Sequence, residues 1–122
     1  MTKVTIQKNK DRVIGFVIEG HSGFANLGED IVCASISILA YTAINSLNAV
    51  AQIDKDDIDY RIDQELGYLK VAVHNSNDKA QVIFDTFIVG IQMLAEDYKD
   101  YVTLIKWFCV CAVTQNLKNT TA

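Results

Sequence analysis

The chain has 122 residues and a mass of 13.6 kDa, a length that suits one domain and excludes a multidomain protein. Half of its residues are apolar and 21% are charged, which is the composition of a folded globular domain and excludes a long disordered region. The net charge of −4 disfavours nucleic acid as a direct partner, because the phosphate backbone is also negative, whereas a basic protein or peptide is attracted.

The first part of the chain predicts a β-hairpin followed by a loop. Val4 and Ile6 alternate with polar residues, residues 8–11 form a polar turn, and residues 13–18 are rich in β-branched and aromatic side chains. Three glycines then follow within residues 20–29 and permit backbone angles that other residues resist, so we expect a flexible loop there: Gly20, Gly23 and Gly28.

Residues 31–51 carry no charge, and a stretch of that length raises the question of a membrane span. Its many serine, threonine and asparagine residues favour instead a helix that is buried in a small domain or at a dimer interface. We therefore expect no membrane partner.

The second half of the chain repeats the pattern of the first. Residues 58–62 and 69–73 alternate on either side of a turn that contains Gly67, which predicts a second hairpin. Short polar side chains at residues 75–78 then precede apolar residues spaced three or four apart, which predicts an amphipathic helix: Ala80, Phe84, Phe87, Ile88, Ile91, Leu94 and Tyr98. The order predicts an α+β domain (ββαββα), with an antiparallel four-stranded sheet, two helices on one face and residues 101–113 as a candidate extra C-terminal strand.

Cys33 is the candidate nucleophile. Asp30 is a favoured N-cap residue, which places Cys33 in the first helical turn, where free N–H groups and the helix dipole favour a thiolate. The charge of Asp30 acts in the opposite direction. His21 lies upstream across the loop, and an imidazole is able to accept the thiol proton and later return one to a leaving amine. The simpler alternatives are a buried structural cysteine and a histidine bonded to the backbone.

These residues resemble a known family. Gly20-His21-Ser22-Gly23, the run from Gly28 to Ala34 with its Asp-Ile-Val-Cys segment, and Ser37 are similar to the signature of the bacterial ribosomal-processing cysteine proteases, called Prp. Ser22 departs from the pattern, because an alanine is common after the histidine. The resemblance covers about the first hundred residues.

The resemblance implies a Cys/His endopeptidase, without cofactor or metal, that removes the N-terminal extension of large-subunit ribosomal protein twenty-seven and acts as a homodimer. It implies Cys33 as nucleophile, His21 as base, Asp30 as support and Ser37 near the substrate. From the residues alone, Asp30 is first a helix cap and Ser37 equally suits a plain helix face. We expect a thioester intermediate, an oxyanion held by N–H groups that include that of Cys33, and a loop that brings Cys33 and His21 together only when peptide binds.

The C-terminus differs from the family. We assign residues 1–100 to the protease-like domain and residues 101–122 to an atypical segment, either part of that domain or a tail, because residues 105–113 are an apolar run where the family tends to be charged. Cys109 and Cys111 supply too few ligands for a structural zinc site. Three cysteines without a basic, apolar leader predict free thiols and a cytoplasmic location.

Two other functions remain open at this stage. In a noncatalytic dimeric, ribosome-associated adaptor the uncharged helix is an interface and Cys33 is dispensable. In a thiol redox protein a second cysteine is needed near Cys33, and the sequence has none there. Six acidic residues form a cluster between the uncharged helix and the second hairpin turn: Asp54, Asp56, Asp57, Asp59, Asp63 and Glu65. The cluster is either a solvent-exposed edge of the domain or a surface that attracts a basic substrate towards the site.

Overall fold

The computed structural model describes residues 1–26 and 28–109. The elements in chain order are β1 (Thr2–Asn9), β2 (Arg12–Glu19), α1 (Ile31–Ala49), a single 3-10 turn (Lys55–Asp57), β3 (Ile58–Asp63), β4 (Tyr68–Val73), α2 (Asp78–Asp97) and β5 (Val102–Cys109). The predicted α+β order of two hairpins, each followed by a helix, is confirmed, and so is the extra C-terminal strand. Residues 110–122, which include Cys111, lie outside the described part.

The five strands form one mixed sheet in the order β3-β4-β2-β1-β5. The predicted antiparallel arrangement of the first four strands is confirmed, and β5, whose direction the sequence did not predict, runs parallel to β1 with Val4 opposite Leu104. The physical reason is the connection through α2. A helix between two strands returns the chain to the end where the first strand began, so β5 runs in the same direction as β4 and, across the sheet, as β1.

One face of the sheet and both helices share a single hydrophobic core. Ile6, Phe16 and Val71 are cross-strand neighbours on that face and are almost fully buried. The Phe16 ring stacks on Phe87 of α2 at 4.0 Å between centroids and meets the edge of Phe84 at 6.3 Å. These contacts fix α2 on the sheet, and α1 packs beside it.

α1 is long and apolar enough to span a membrane by length and composition alone. One side of it is buried in the core of the domain, through Val32, Ile36, Ala40, Ala43, Ile44 and Leu47. This packing is what we expect of the central helix of a globular domain.

The end of β2, the β3–β4 turn and the start of α1 lie at one end of the sheet. The segment from residue 20 to residue 30 leaves β2 and enters α1, and it runs beside the β3–β4 turn, where the N–H of Gly20 donates to the carbonyl of Gly67 at 2.8 Å. The buried hydroxyl of Thr2 donates to the carbonyl of Gly20 at 3.1 Å. The start of the loop is therefore held from two sides at Gly20, the residue before His21.

Candidate active site

A cavity of about 730 Å³ lies between the loop, the start of α1 and the β3–β4 turn. Every residue that the sequence analysis singled out for the site lines this cavity: Gly20, His21, Gly23, Gly28, Asp30, Cys33 and Ser37. The fold thus brings the loop between β2 and α1 and the first turns of α1 to one place. Ile36, Tyr41 and Leu69 are among the side chains that make the rest of its wall largely apolar.

Cys33 is partly buried in the first turn of α1, and its thiol is free. The backbone N–H of Ser22 donates to its Sγ atom at 3.4 Å, and the thiol donates to Ser22 Oγ at 3.5 Å. The sulfur is therefore held by the residue that follows His21, and its environment is not that of a cysteine used only for packing.

Asp30 is the N-cap of α1, as predicted. Its Oδ1 atom accepts hydrogen bonds from the N–H groups of Val32 at 3.0 Å and Cys33 at 2.9 Å. An anion does sit at the helix N-terminus, but it is this carboxylate rather than the sulfur. The N–H of Cys33, which we expect among the oxyanion donors, donates to Asp30 in this arrangement, so its part in holding an oxyanion stays a prediction.

The second carboxylate oxygen of Asp30 organises the loop. Oδ2 accepts from the Ser22 hydroxyl at 2.5 Å and from the N–H groups of Phe24 and Ala25 at 3.2 and 3.3 Å. Burial raises the pKa of Asp30, but the hydrogen bonds from Ser22, Cys33 and Ala25 outweigh burial and lower the pKa from 3.8 to about 2. Asp30 is thus ionised at neutral pH. No hydrogen bond joins it to His21 within the described residues, so its observed role is capping.

His21 is exposed at the mouth of the cavity. Its Nε2 atom lies 3.1 Å from the carbonyl oxygen of Glu65, and its Cε1 atom lies 3.1 Å from where a Cβ would stand on Gly67. Imidazole and thiol thus have different partners and share no hydrogen bond in the part of the chain that the structure describes. The closure that brings them together stays a prediction.

Ser37 lies one helical turn after Cys33 on the same wall of the cavity and is exposed there. A side chain in that position is accessible to a peptide that passes the sulfur. The structure gives Ser37 no hydrogen bond within the described residues, so contact with substrate stays a prediction.

Sequence reasoning missed two residues that hold the loop. Ser22 was noticed only as a departure from a family pattern, yet its side chain is 2% exposed and contacts both Asp30 and Cys33. Phe24 packs its ring edge-on against Tyr98 and Tyr101, at 5.5 and 5.2 Å between centroids. The predicted flexible loop is therefore anchored around residues 22–25. The available signal was Phe24 itself, because a large aromatic side chain among loop glycines commonly packs against other apolar groups.

Most of the remaining polar candidates lie away from the cavity. Within residues 1–26 and 28–109, no group of three or more His, Cys, Asp or Glu side chains is placed to hold a metal ion. Of the acidic cluster, Asp63 lines the cavity, while Asp59 bonds to His74 at 2.7 Å and Asp57 to Asn75 at 3.3 Å. Steering of a substrate by these charges stays a prediction.

Comparison with known proteins identifies the family. A family model described as cysteine protease Prp matches residues 1–103. The chain belongs to the Prp family of cysteine proteases. Ribosomal processing cysteine protease Prp of Staphylococcus aureus is 30% identical over 106 residues, which cover 85% of this chain and 97% of the relative. The Prp of Bacillus subtilis is also 30% identical, over 82% of this chain and 92% of the relative.

Solved structures agree with this assignment. The structure of an essential ribosomal processing protease Prp from Staphylococcus aureus, in complex with a covalently linked product peptide, superposes with a TM-score of 0.79. It is 26% identical, and the match covers 88% of this chain and 100% of that one. A second structure of that protease, with a substrate peptide, has a TM-score of 0.75 at 25% identity, over 88% of this chain and 100% of that one. Both the α+β fold and the cysteine protease class predicted from the sequence are confirmed.

Proposed function

We propose that this Prp family member is a cytoplasmic endopeptidase that removes the N-terminal extension of large-subunit ribosomal protein twenty-seven. The observation that carries the proposal is the shared cavity, in which Cys33 at the start of α1 and His21 after β2 line one space open to a peptide. The names of the relatives support a substrate from the ribosome. The net charge of −4 favours a basic protein over nucleic acid.

In each half of the reaction, one proton moves onto the His21 imidazole and off again. As the loop closes on the peptide, His21 takes the proton of the Cys33 thiol, and the sulfur attacks the scissile carbonyl carbon. The carbon–nitrogen bond then breaks, the amine leaves with the proton from His21, and a thioester remains on Cys33. Water gives a proton to His21 and attacks the thioester carbon, the carbon–sulfur bond breaks and the peptide leaves as a carboxylic acid, and His21 returns the proton to the sulfur to restore the thiol. We expect backbone N–H groups near the start of α1 and in the closed loop to hold the oxyanion, and the N–H of Cys33 takes part only when it leaves Asp30.

The same wall supports binding of an extended peptide. Ser37 is exposed beside Cys33, and the apolar wall formed by residues such as Ile36, Tyr41 and Leu69 suits apolar side chains of the substrate. The relative from Staphylococcus aureus has been solved with a substrate peptide and with a covalently linked product peptide. A covalently held peptide is what a cysteine nucleophile would leave, and this supports Cys33 as the attachment point in the present chain.

Two copies of the chain are expected to associate. The outer side of α1 lacks charge and exposes Ile31 and Ile38, and the outer side of α2 exposes Val82, Val89 and Met93. Exposed apolar side chains on adjacent helices favour a protein–protein contact. Light scattering coupled to size-exclusion chromatography measures the assembly, and a mass of one chain at working concentration would exclude the dimer.

The decisive experiment incubates the protein with the extended ribosomal protein and measures the product masses. Cys33→Ala and His21→Ala are expected to abolish cleavage while keeping the native circular dichroism spectrum. Ser35→Ala removes a hydroxyl two residues from Cys33 that donates to the carbonyl of Ile31; it is the matched control and is expected to cleave normally. An intact substrate with the wild-type protein, or full function with Cys33→Ala, would favour the noncatalytic adaptor instead.

A further inference from the structure

The hydroxyl of Ser22 contacts Asp30, Phe24 and Cys33. Its hydroxyl oxygen lies 2.5 Å from Asp30 Oδ2, 3.3 Å from the backbone nitrogen of Phe24 and 3.5 Å from Cys33 Sγ. The side chain is 2% exposed, so water does not replace these partners. A serine hydroxyl has one proton to donate and two lone pairs to accept with, and the question is which neighbour receives the proton.

The neighbours of Ser22 decide the direction of each bond. Asp30 is ionised at neutral pH, since even its ordinary pKa of 3.8 lies far below 7, and a carboxylate only accepts, so the Ser22 proton goes to Oδ2 in a short, charge-assisted bond. The backbone N–H of Phe24 only donates, so it uses one lone pair of Oγ. What Ser22 Oγ presents to Cys33 is therefore its remaining lone pair. A thiol satisfies that lone pair, and a thiolate is repelled by it.

We propose that Ser22 is a positioning residue that keeps Cys33 in the thiol form, with S–H directed at Ser22 Oγ, until a peptide docks and His21 removes the proton. The backbone N–H of Ser22 donates to the same sulfur at 3.4 Å and fixes its place, while the proposed effect on its protonation comes from the hydroxyl. The proposal rests on the proposed function, in which Cys33 is the nucleophile and His21 its base.

Several titratable groups share the cavity with this sulfur: His21, Asp30, Tyr41, Asp63 and Tyr68. Replacement of Ser22 by alanine leaves all of them in place and removes only the hydroxyl. If the alkylation profile of Cys33 changes on this replacement, the change is therefore assigned to the Ser22 hydroxyl and to the hydrogen bond that it donates to Asp30.

The test is the rate at which iodoacetamide alkylates Cys33, measured from about pH 5 to about pH 10, a range that spans the usual thiol titration. Mass spectrometry of the peptide that contains Cys33 separates it from Cys109 and Cys111. At neutral pH we expect Ser22→Ala to react about fivefold faster than wild type, the equivalent of one ordinary hydrogen bond. We expect its profile to move to lower pH while the plateau at high pH stays the same. Ser35→Ala is the control and keeps the wild-type profile.

Two results would overturn the proposal. A profile that is unchanged or that moves to higher pH means that the hydroxyl does not stabilise the thiol. A rate that rises by one factor at every pH, plateau included, means that the replacement only exposes the sulfur. If Ser22→Ala loses the native circular dichroism spectrum, Ser22→Gly is compared in its place, and failure of both to fold assigns the hydroxyl to stability and rejects a positioning role.

The alkylation assay needs no peptide, so it is independent of the proposed function. Cleavage of the extended ribosomal protein is measured separately on the same preparations. A shifted profile with no cleavage by wild type leaves the Ser22–Cys33 contact in place and rejects the endopeptidase. Normal cleavage by wild type with no shift in Ser22→Ala rejects the role of Ser22 alone.

Discussion

The N–H of Cys33 donates to the carboxylate of Asp30 at 2.9 Å, so the candidate nucleophile and the cap of its helix are one bonded unit. The same carboxylate reaches the loop through Ser22, Phe24 and Ala25. A change in the charge of Asp30 therefore acts on the helix start and on the loop together.

Asp30 is expected to make stability depend on pH in the acid range. Its pKa falls from 3.8 to about 2 on folding, so its contribution is fully present above the unfolded value and is lost as the pH drops through about 2. A shift of this size corresponds to about 2 kcal/mol. Urea unfolding between pH 7 and pH 2 measures it. Asp30→Asn keeps a good N-cap residue but does not titrate, so its curve is expected to be flatter by that amount. Parallel loss of stability in both proteins contradicts the prediction.

The sequence alone predicted those features of the structure that depend on a few neighbouring residues. The cap at Asp30 and the turns of both hairpins follow from local preferences, and the structure has them. The polarity of β5 was not accessible, because it depends on where α2 delivers the chain across the sheet. The bond between Ser22 and Asp30 was not accessible either, since it depends on the path of the loop and no periodic pattern encodes that path.

Gly67 is expected to be required for the position of His21. A Cβ on Gly67 would stand 3.0 Å from the carbonyl carbon of Gly20 and 3.1 Å from Cε1 of His21, and the φ angle of Gly67 is +62°. Gly67→Ala therefore both strains the turn and displaces the imidazole. We expect kcat/KM for peptide cleavage to fall about tenfold or more, because misplaced catalytic groups cost rate steeply.

Gly67→Asn distinguishes backbone strain in the turn from displacement of the His21 imidazole. Asparagine tolerates a positive φ better than alanine does, but it has the same Cβ. Thermal unfolding is expected to show a smaller loss of stability for Gly67→Asn than for Gly67→Ala, whereas both lose activity. Recovery of full activity in Gly67→Asn means that backbone strain, and not the contact with His21, is the cause.

Phe24 is expected to hold the loop against the end of α2. Its two edge-on contacts, with Tyr98 and Tyr101, are each of a kind that contributes about 0.5 to 1.5 kcal/mol. Phe24→Ala is expected to lower the free energy of unfolding by about 1 to 3 kcal/mol and to speed hydrogen exchange at the N–H of Ala25. Phe24→Leu keeps apolar contact without the ring, and its free energy of unfolding and exchange rate are expected to lie between those of the wild type and Phe24→Ala. Exchange that is the same in all three proteins shows that Asp30 alone orders this part of the loop.

The acidic cluster is expected to attract a basic substrate over a long range, and this attraction depends on the salt concentration. The Debye length falls from about 10 Å at 0.1 M to about 3 Å at 1 M, so steering of a basic substrate is expected to weaken and kcat/KM to decrease as salt is added. Asp63 lines the cavity, and Asp63→Asn is expected to lower kcat/KM at low salt. Asp85→Asn removes an equal charge from an exposed position on α2 outside the cavity lining and is the control. The hypothesis of steering fails if processing is as fast at high salt as at low salt, because exposed charges more than a Debye length apart no longer interact there.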